Sequence, residues 1–345
     1  MKNKVVTFGE IMMRLEPPNF IRLRQAHSFD VIYGGGEANV AVSLANYHVP
    51  ASFVTCLPDN DLGDACEAYI RQYGVDTRGI VRGGERLGLY FIESGAAQRG
   101  SKVIYDRAGS SLASIQPGMI NWEPIFADAD WFHWTGITPA VSSGAADACL
   151  EAVQKAHAAG LTVSSDFNYR KNLWKWGKKP SEVMPAMVSL CDVAICNEED
   201  AEKVFGIKAP EVDVTSGKVD AEQYRNVAER VVERFPNLKT IAFTLRGSIS
   251  ASHNTWSGVL WQNGHFYTGR MYDISPIIDR VGGGDAFSGG LIYALRKVPA
   301  DPRYALEFAI GASCLKHSIV GDFNAVSVDE VERLIAGDAS GRVSR

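Results

Sequence analysis

Apolar and polar positions alternate along this chain in two rhythms. Short runs rich in β-branched and aromatic residues, at 5–8, 51–57, 131–134, 161–166, 193–196 and 240–245, predict buried strands. Between several of them apolar positions recur at helical spacing, which predicts helices over 37–47, 62–73, 143–159, 201–205 and 221–234. Gly74 and Gly160 fall where two of these helices should be capped. Strands alternating with helices predict an α/β fold, a three-layer mainly parallel sheet with helices on both faces.

Two stretches break that pattern. Residues 14–33 and 87–107 contain segments with a period of two, LGLYFIE at 87–93 and KVIYDR at 102–107, which predict strands with one wet face. They form a small discontinuous β appendage in this reading, placed to cover a site as a lid. The α/β core then comprises 1–13, 34–86 and 108–336. Residues 208–220 read as a surface insertion, and 337–345, small and polar, as a frayed tail.

Composition narrows the partners more than the fold. A chain of 345 residues with 46% hydrophobic and 22% charged residues can bury an ordinary globular core. The net charge of -5 argues against a nucleic-acid partner held by general basicity, so an anionic ligand needs a locally basic pocket. The six cysteines show no metal-ligand spacing and mostly lie in apolar stretches, as buried free thiols do. The N-terminal apolar run is interrupted by Gly9, Glu10 and Arg14, which does not suit a signal peptide, and no run reaches membrane-spanning length. A cytoplasmic protein without a membrane partner is expected.

The densest chemical signal is DRVGGGDAFSGGL at 279–291. Gly282, Gly283 and Gly284 let the backbone turn its amides toward a ligand, and an apolar helical pattern follows from Ala286. Amides and dipole at a helix start form an anion site, and Asp285 there is placed to act as base on a hydroxyl. The plain alternative is a capped helix after a loose loop. The chain has neither a GxxxxGK[ST] loop nor the HRD and DFG segments, which excludes a P-loop enzyme and a protein kinase. A second glycine-rich segment, GGGEAN at 34–39, stands too far from the first strand for a dinucleotide fingerprint, although a nicotinamide-dependent dehydrogenase remains the rival from another class.

Taken in order, GGGEAN at 34–39, DxNxR at 166–170, NEED at 197–200 and DxxGGGD at 279–285 resemble the ribokinase-like (PfkB) family of carbohydrate kinases, over nearly the whole chain. Within it the resemblance runs to the 2-keto-3-deoxygluconate kinase branch, through Gly34, Tyr90, Tyr105, Arg107, HWTGIT at 133–138, Leu173-Trp174 and GDFN at 321–324. The family's DTTGAGD is altered here by Arg280, Val281 and Gly283. Its NxxE ends in Asp200, and its GxxG nucleotide turn, expected at 244–250, lacks the second glycine.

The resemblance implies ATP with Mg2+ as cofactors, and it leaves a monovalent cation and a homo-oligomer open. It implies phosphorylation of a terminal hydroxyl of a small sugar acid, 2-keto-3-deoxygluconate to its 6-phosphate, with Asp285 as base and Gly282, Gly283 and Gly284 as the amide hole. Gly34, Gly35, Asn39, Tyr90, Tyr105, Arg107, Arg170 and Asp322 are expected at the substrate. Asp166, Asn168, Asn197, Thr244, Arg246 and Gly247 are expected at the nucleotide, Glu199 at the metal, and Asp279 near the nucleotide or a monovalent ion.

The sugar-acid reading also has a basis in the residue types. Arginine matches a carboxylate with two parallel hydrogen bonds, and Arg107 and Tyr105, two apart, share one strand face. Rivals are a kinase for a neutral sugar such as fructose or ribose, and a non-catalytic sugar sensor. His133, Trp174 and Trp176 read as packing residues, and Phe308, Ala312 and Leu315 as a buried helical stripe.

Overall fold

The structure, a computed structural model, describes residues 2–197, 199–207 and 221–338. The insertion expected over 208–220, most of the tail expected over 337–345, and Glu198 lie outside them.

A nine-stranded sheet organises the molecule. Its spatial order is His265–Thr268, His253–Gln262, Thr240–Ser250, Val193–Cys196, Thr162–Asp166, Ala129–Thr135, Lys4–Phe8 and Ala51–Val54, with Tyr272–Ile274 also paired to His253–Gln262. From Thr240–Ser250 to Ala51–Val54 every pairing is parallel, and the strands beyond Thr240–Ser250 are antiparallel. Both faces are covered by helices, so strand residues are buried whichever face they point to. Val5 packs into one helical layer, while Val6 and Phe8 pack into the other with Trp122 and Phe132.

The expected helices form at Gly36–Asn46, Asp61–Arg71, Ser143–Ala158, Asp200–Phe205 and Ala221–Arg234. Gly74 and Gly160 take positive φ (80° and 75°) just past two of them. The run expected as one strand over 51–57 divides, because Cys56–Leu57 leaves the main sheet to pair with Val81–Arg82.

A separate four-stranded sheet is built from Asp30–Gly34, Met12–Glu16, Gly88–Glu93 and Lys102–Asp106, in that order. Met12, Tyr90 and Ile92 on its inner face pack with Val281 of the glycine loop. The strand Lys102–Asp106 corrects the expectation of one wet face. As an edge strand it is exposed at every position.

Candidate active site

The two sheets meet over a cavity of about 400 Å³ at the carboxyl ends of the parallel strands, the end where open α/β sheets bind ligands. Asp166 is the last residue of its strand and Cys196 of the next, and both line the cavity. The helix Gly283–Lys297 points its N-terminus at the same space.

Gly282 caps that helix at φ 79°, and a Cβ there would meet the Asp322 carbonyl oxygen at 2.1 Å, so only glycine fits. Gly283 starts the helix three residues earlier than the apolar pattern from Ala286 indicated, and its carbonyl accepts from the Ser313 hydroxyl at 2.6 Å. Gly284 differs from both. A Cβ there would meet nothing within 4 Å, although the residue lines the cavity. The protein does not need glycine at 284 for its own packing.

Asp285 sits in the first turn, and its Oδ2 accepts from Asn39 Nδ2 at 2.6 Å. Burial pushes its carboxyl up to about 6, against the pull of Asn39 in the other direction. Asp166 is raised well above the ordinary carboxylate range by burial and then by the charges of Asp200 and Asp285. Asn168 turns the chain at φ 39°, and its N–H donates to Asp166 Oδ1 at 3.1 Å.

Asp200 is buried and ties two loops together, accepting from the Tyr169 N–H and the Asn197 N–H, each at 2.9 Å. Asn197 Oδ1 accepts in return from the N–H groups of Glu199 and Asp200 at 2.8 and 3.1 Å.

The basic pocket that an acidic chain requires for an anion is present. Arg107, Arg170, Arg246 and Arg280 all line the cavity. Arg107 is 8% exposed and pairs with Glu10, whose other oxygen accepts from Ser110. The guanidinium of Arg107 lies 5.7 Å from the Tyr105 ring, which stacks on Tyr90 at 6.0 Å. The Tyr90 hydroxyl donates to Asp322. A Cβ on Gly34 would meet the Asp322 carboxylate at 2.1 Å, which explains the glycine there.

Three expected positions fall outside the cavity lining. Gly247 does not line the cavity, because no turn forms at 244–250. The strand continues to Ser250, with Arg246 paired to Trp256 and Gly247 to Thr255. Thr244 and Arg246 do reach the cavity. Glu199 is exposed outside it, and Asp200 is the NEED carboxylate that faces inward. Asp279 is also outside, with its oxygens engaged by Arg14 at 2.7 Å, Val281 N–H at 3.0 Å and Gly321 N–H at 3.0 Å. The other expected site residues border the cavity together.

Residues 2–324 match the pfkB family carbohydrate kinase. The chain belongs to that family. As a PfkB carbohydrate kinase it is 32% identical to a 2-dehydro-3-deoxygalactonokinase of Haloferax volcanii, over 99% of each chain. It is 28% identical to a 2-dehydro-3-deoxygluconokinase of Thermoproteus tenax, over 96% of this chain and 94% of that one. The crystal structure of a 2-dehydro-3-deoxygluconokinase from Thermotoga maritima superposes with a TM-score of 0.91 at 46% identity, covering 97% of this chain and all (100%) of that one.

Glu10, Trp256 and Arg280 line the kinase cavity without having been expected there. Glu10 carried a legible signal, since a carboxylate inside an apolar strand-turn-strand run needs a buried partner. Trp256 carried none, because the strand holding it was not legible as one, whereas Arg280 stood inside the 279–291 motif as a departure from the family pattern.

Proposed function

We propose that this kinase transfers the γ-phosphoryl group of ATP to the terminal hydroxyl of a 2-keto-3-deoxy sugar acid, with 2-keto-3-deoxygluconate as the substrate. One observation carries the reading: Asp285, at a helix start behind three glycines, shares a single cavity with Arg107 and Arg170. Base, anion-binding amides and carboxylate-matching guanidinium groups therefore stand around one ligand volume. The names of the similar kinases from Haloferax, Thermoproteus and Thermotoga point to the same substrate class.

In this reading Asp285 takes the hydroxyl proton while the amides at 282–284 stabilise the charge on the phosphoryl group. Tyr90, Tyr105, Asp322, Gly34, Gly35 and Asn39 hold the sugar acid, and Arg107 and Arg170 its carboxylate. Thr244, Arg246, Asn168 and Asn197 face the nucleotide. Asp166 fits Mg2+, because burial and the charges of Asp200 and Asp285 leave its carboxylate in need of a cation. When bound, Mg2+ neutralises phosphate oxygens.

Six free cysteines accord with a cytoplasmic setting, and no helix among the described residues is long and apolar enough to cross a membrane. Val31, Val103 and Ile104, each 45–53% exposed on the small sheet, support a homo-oligomer joined there; sedimentation as a monomer alone would remove that reading.

A coupled ADP-release assay across sugar acids, fructose and ribose tests the whole assignment. Turnover of neutral sugars in preference to the sugar acid overturns the substrate, and ligand binding without ADP release overturns the reaction.

A further inference from the structure

Arg14 does not line the cavity, and it was not expected to have a role. It lies in the small-sheet strand Met12–Glu16, with no exposed surface. Its Nη1 donates to Asp322 Oδ1 at 2.8 Å, and its Nη2 donates to Asp279 Oδ2 at 2.7 Å and to Glu16. One guanidinium thus joins the small sheet to two separate loops of the main domain.

Those loops are the ones that shape the site. Asp279 opens the glycine loop and holds it through Oδ1, which accepts from the Val281 N–H at 3.0 Å, while its Oδ2 accepts from the Gly321 N–H at 3.0 Å and ties that loop to the one carrying Asp322. Asp322 borders the cavity, accepts from the Tyr90 hydroxyl, and presents its carbonyl oxygen to Gly282 so closely that no side chain fits there. Any shift of either carboxylate therefore moves the start of the helix Gly283–Lys297 or the wall of the sugar site. The other buried cation nearby, Lys316, donates to the Ile319 carbonyl at 2.9 Å, and burial pulls its pKa down. Arg14 is thus the cation, among the described residues, seen bonded to both loop carboxylates.

A buried arginine is a costly way to fill a sheet interior, since an apolar side chain would pack there without losing hydration. What the guanidinium adds is direction, with two forked donors aimed at two carboxylates from different loops. We infer that Arg14 is a positioning residue for phosphoryl transfer, a clamp that sets the 279–284 loop against the small sheet. This rests on the reading that the amides at 282–284 and Asp285 perform the transfer.

The test is steady-state kinetics of Arg14→Lys and Arg14→Met with ATP and 2-keto-3-deoxygluconate, on protein shown to be folded by thermal denaturation. A clamp acting on the amide hole lowers kcat and leaves ATP binding alone. The expected losses in kcat are about 30-fold or more for Arg14→Met and about tenfold for Arg14→Lys, with the KM for ATP changed less than about threefold. Because the pair acts as a unit, adding Asp279→Asn to Arg14→Met should cost less than about threefold more.

A folded Arg14→Met with normal kcat, or one altered in KM alone, overturns the inference. If Arg14→Met does not fold, Asp279→Asn by itself must show the same kcat-selective loss, and normal kcat there overturns it too. Asp285→Asn run alongside separates the two claims. Normal turnover in that variant defeats the base assignment, whereas Arg14 variants with normal kcat beside an inactive Asp285→Asn defeat only the clamp.

Discussion

Asp285 is a carboxylate that its surroundings favour in the protonated form. Burial raises its pKa from 3.8 to about 6, which leaves it ionised at neutral pH yet more basic than an exposed aspartate, as a general base requires. Two outcomes follow with opposite signs. If Asp285 is the base, turnover needs the carboxylate, so kcat/KM should fall as pH drops below about 6, and Asp285→Asn should lose at least ~10²-fold in kcat at about pH 7–8. Stability responds the other way. A folded-state pKa above the unfolded one contributes stability that is complete below about pH 4 and is lost as pH rises through about 6. Asp285→Asn should therefore be more stable than the parent at pH 8 by roughly 1–3 kcal/mol, with the gain vanishing near pH 4; equal melting temperatures at pH 8 would contradict it. Gly284 allows a second separation of fold from function. Beyond its chain neighbours and the backbone of its own helix, no protein atom lies within 4 Å of an added methyl group, and alanine in a helix is favoured over glycine by about 0.5–1 kcal/mol. Gly284→Ala should keep or raise the melting temperature while cutting kcat about tenfold or more, if the methyl enters the space proposed for phosphate. Unchanged kcat would show that no ligand approaches there.

At the scale of elements, legibility followed burial. The parallel strands were readable where both faces are covered and the run is apolar throughout, as in Val193–Cys196, whose bounds were recovered unchanged. The antiparallel strand His253–Gln262 mixes His, Asn, Thr and Trp in no simple alternation, and the pairing that extends Thr240–Ser250 past Leu245 could not be seen without it. Motif positions were legible where a glycine or a charge is forced by local geometry, as at Gly282 or Asp285. Residue type alone did not separate Glu199 from Asp200, since only the turn in which Asn197 Oδ1 accepts from the N–H groups of both sets which carboxylate turns inward. The small sheet was legible as strands but not in its exposure. Its edge strand Lys102–Asp106 is exposed throughout yet carries Tyr105 and leads directly to Arg107, both at the cavity. An element with so little buried surface should open locally in the free protein and be held when the sugar acid is bound. Hydrogen exchange should show the amides of 88–93 and 102–106 gaining protection with substrate; identical exchange with and without it would make the small sheet a fixed wall rather than a lid.

On the scale of the whole molecule, a chain of net charge -5 brings four arginines to one cavity, and their commitments differ. Arg107 is already paired with buried Glu10, and Arg280 donates to the Ala251 carbonyl at 2.6 Å. Arg170 is exposed, with its Nη1 on the Tyr169 carbonyl at 2.9 Å, so it can turn toward a ligand at little cost to the fold. That makes it the residue whose removal isolates the substrate carboxylate. A charge-assisted hydrogen bond contributes about 1.5–3 kcal/mol, and partial exposure brings the effect toward the lower end. At about 1.4 kcal/mol per decade, Arg170→Ala should weaken kcat/KM for 2-keto-3-deoxygluconate by about tenfold while its melting temperature stays within a few degrees. A neutral ketose has no carboxylate for Arg170 to meet, so its already poor turnover should change less than about threefold. The ratio of the two specificity constants is therefore the decisive measurement. If Arg170→Ala lowers both substrates equally, Arg170 serves the phosphates rather than the sugar acid, and the preference for an acid must come from Arg107 and the tyrosines stacked beside it.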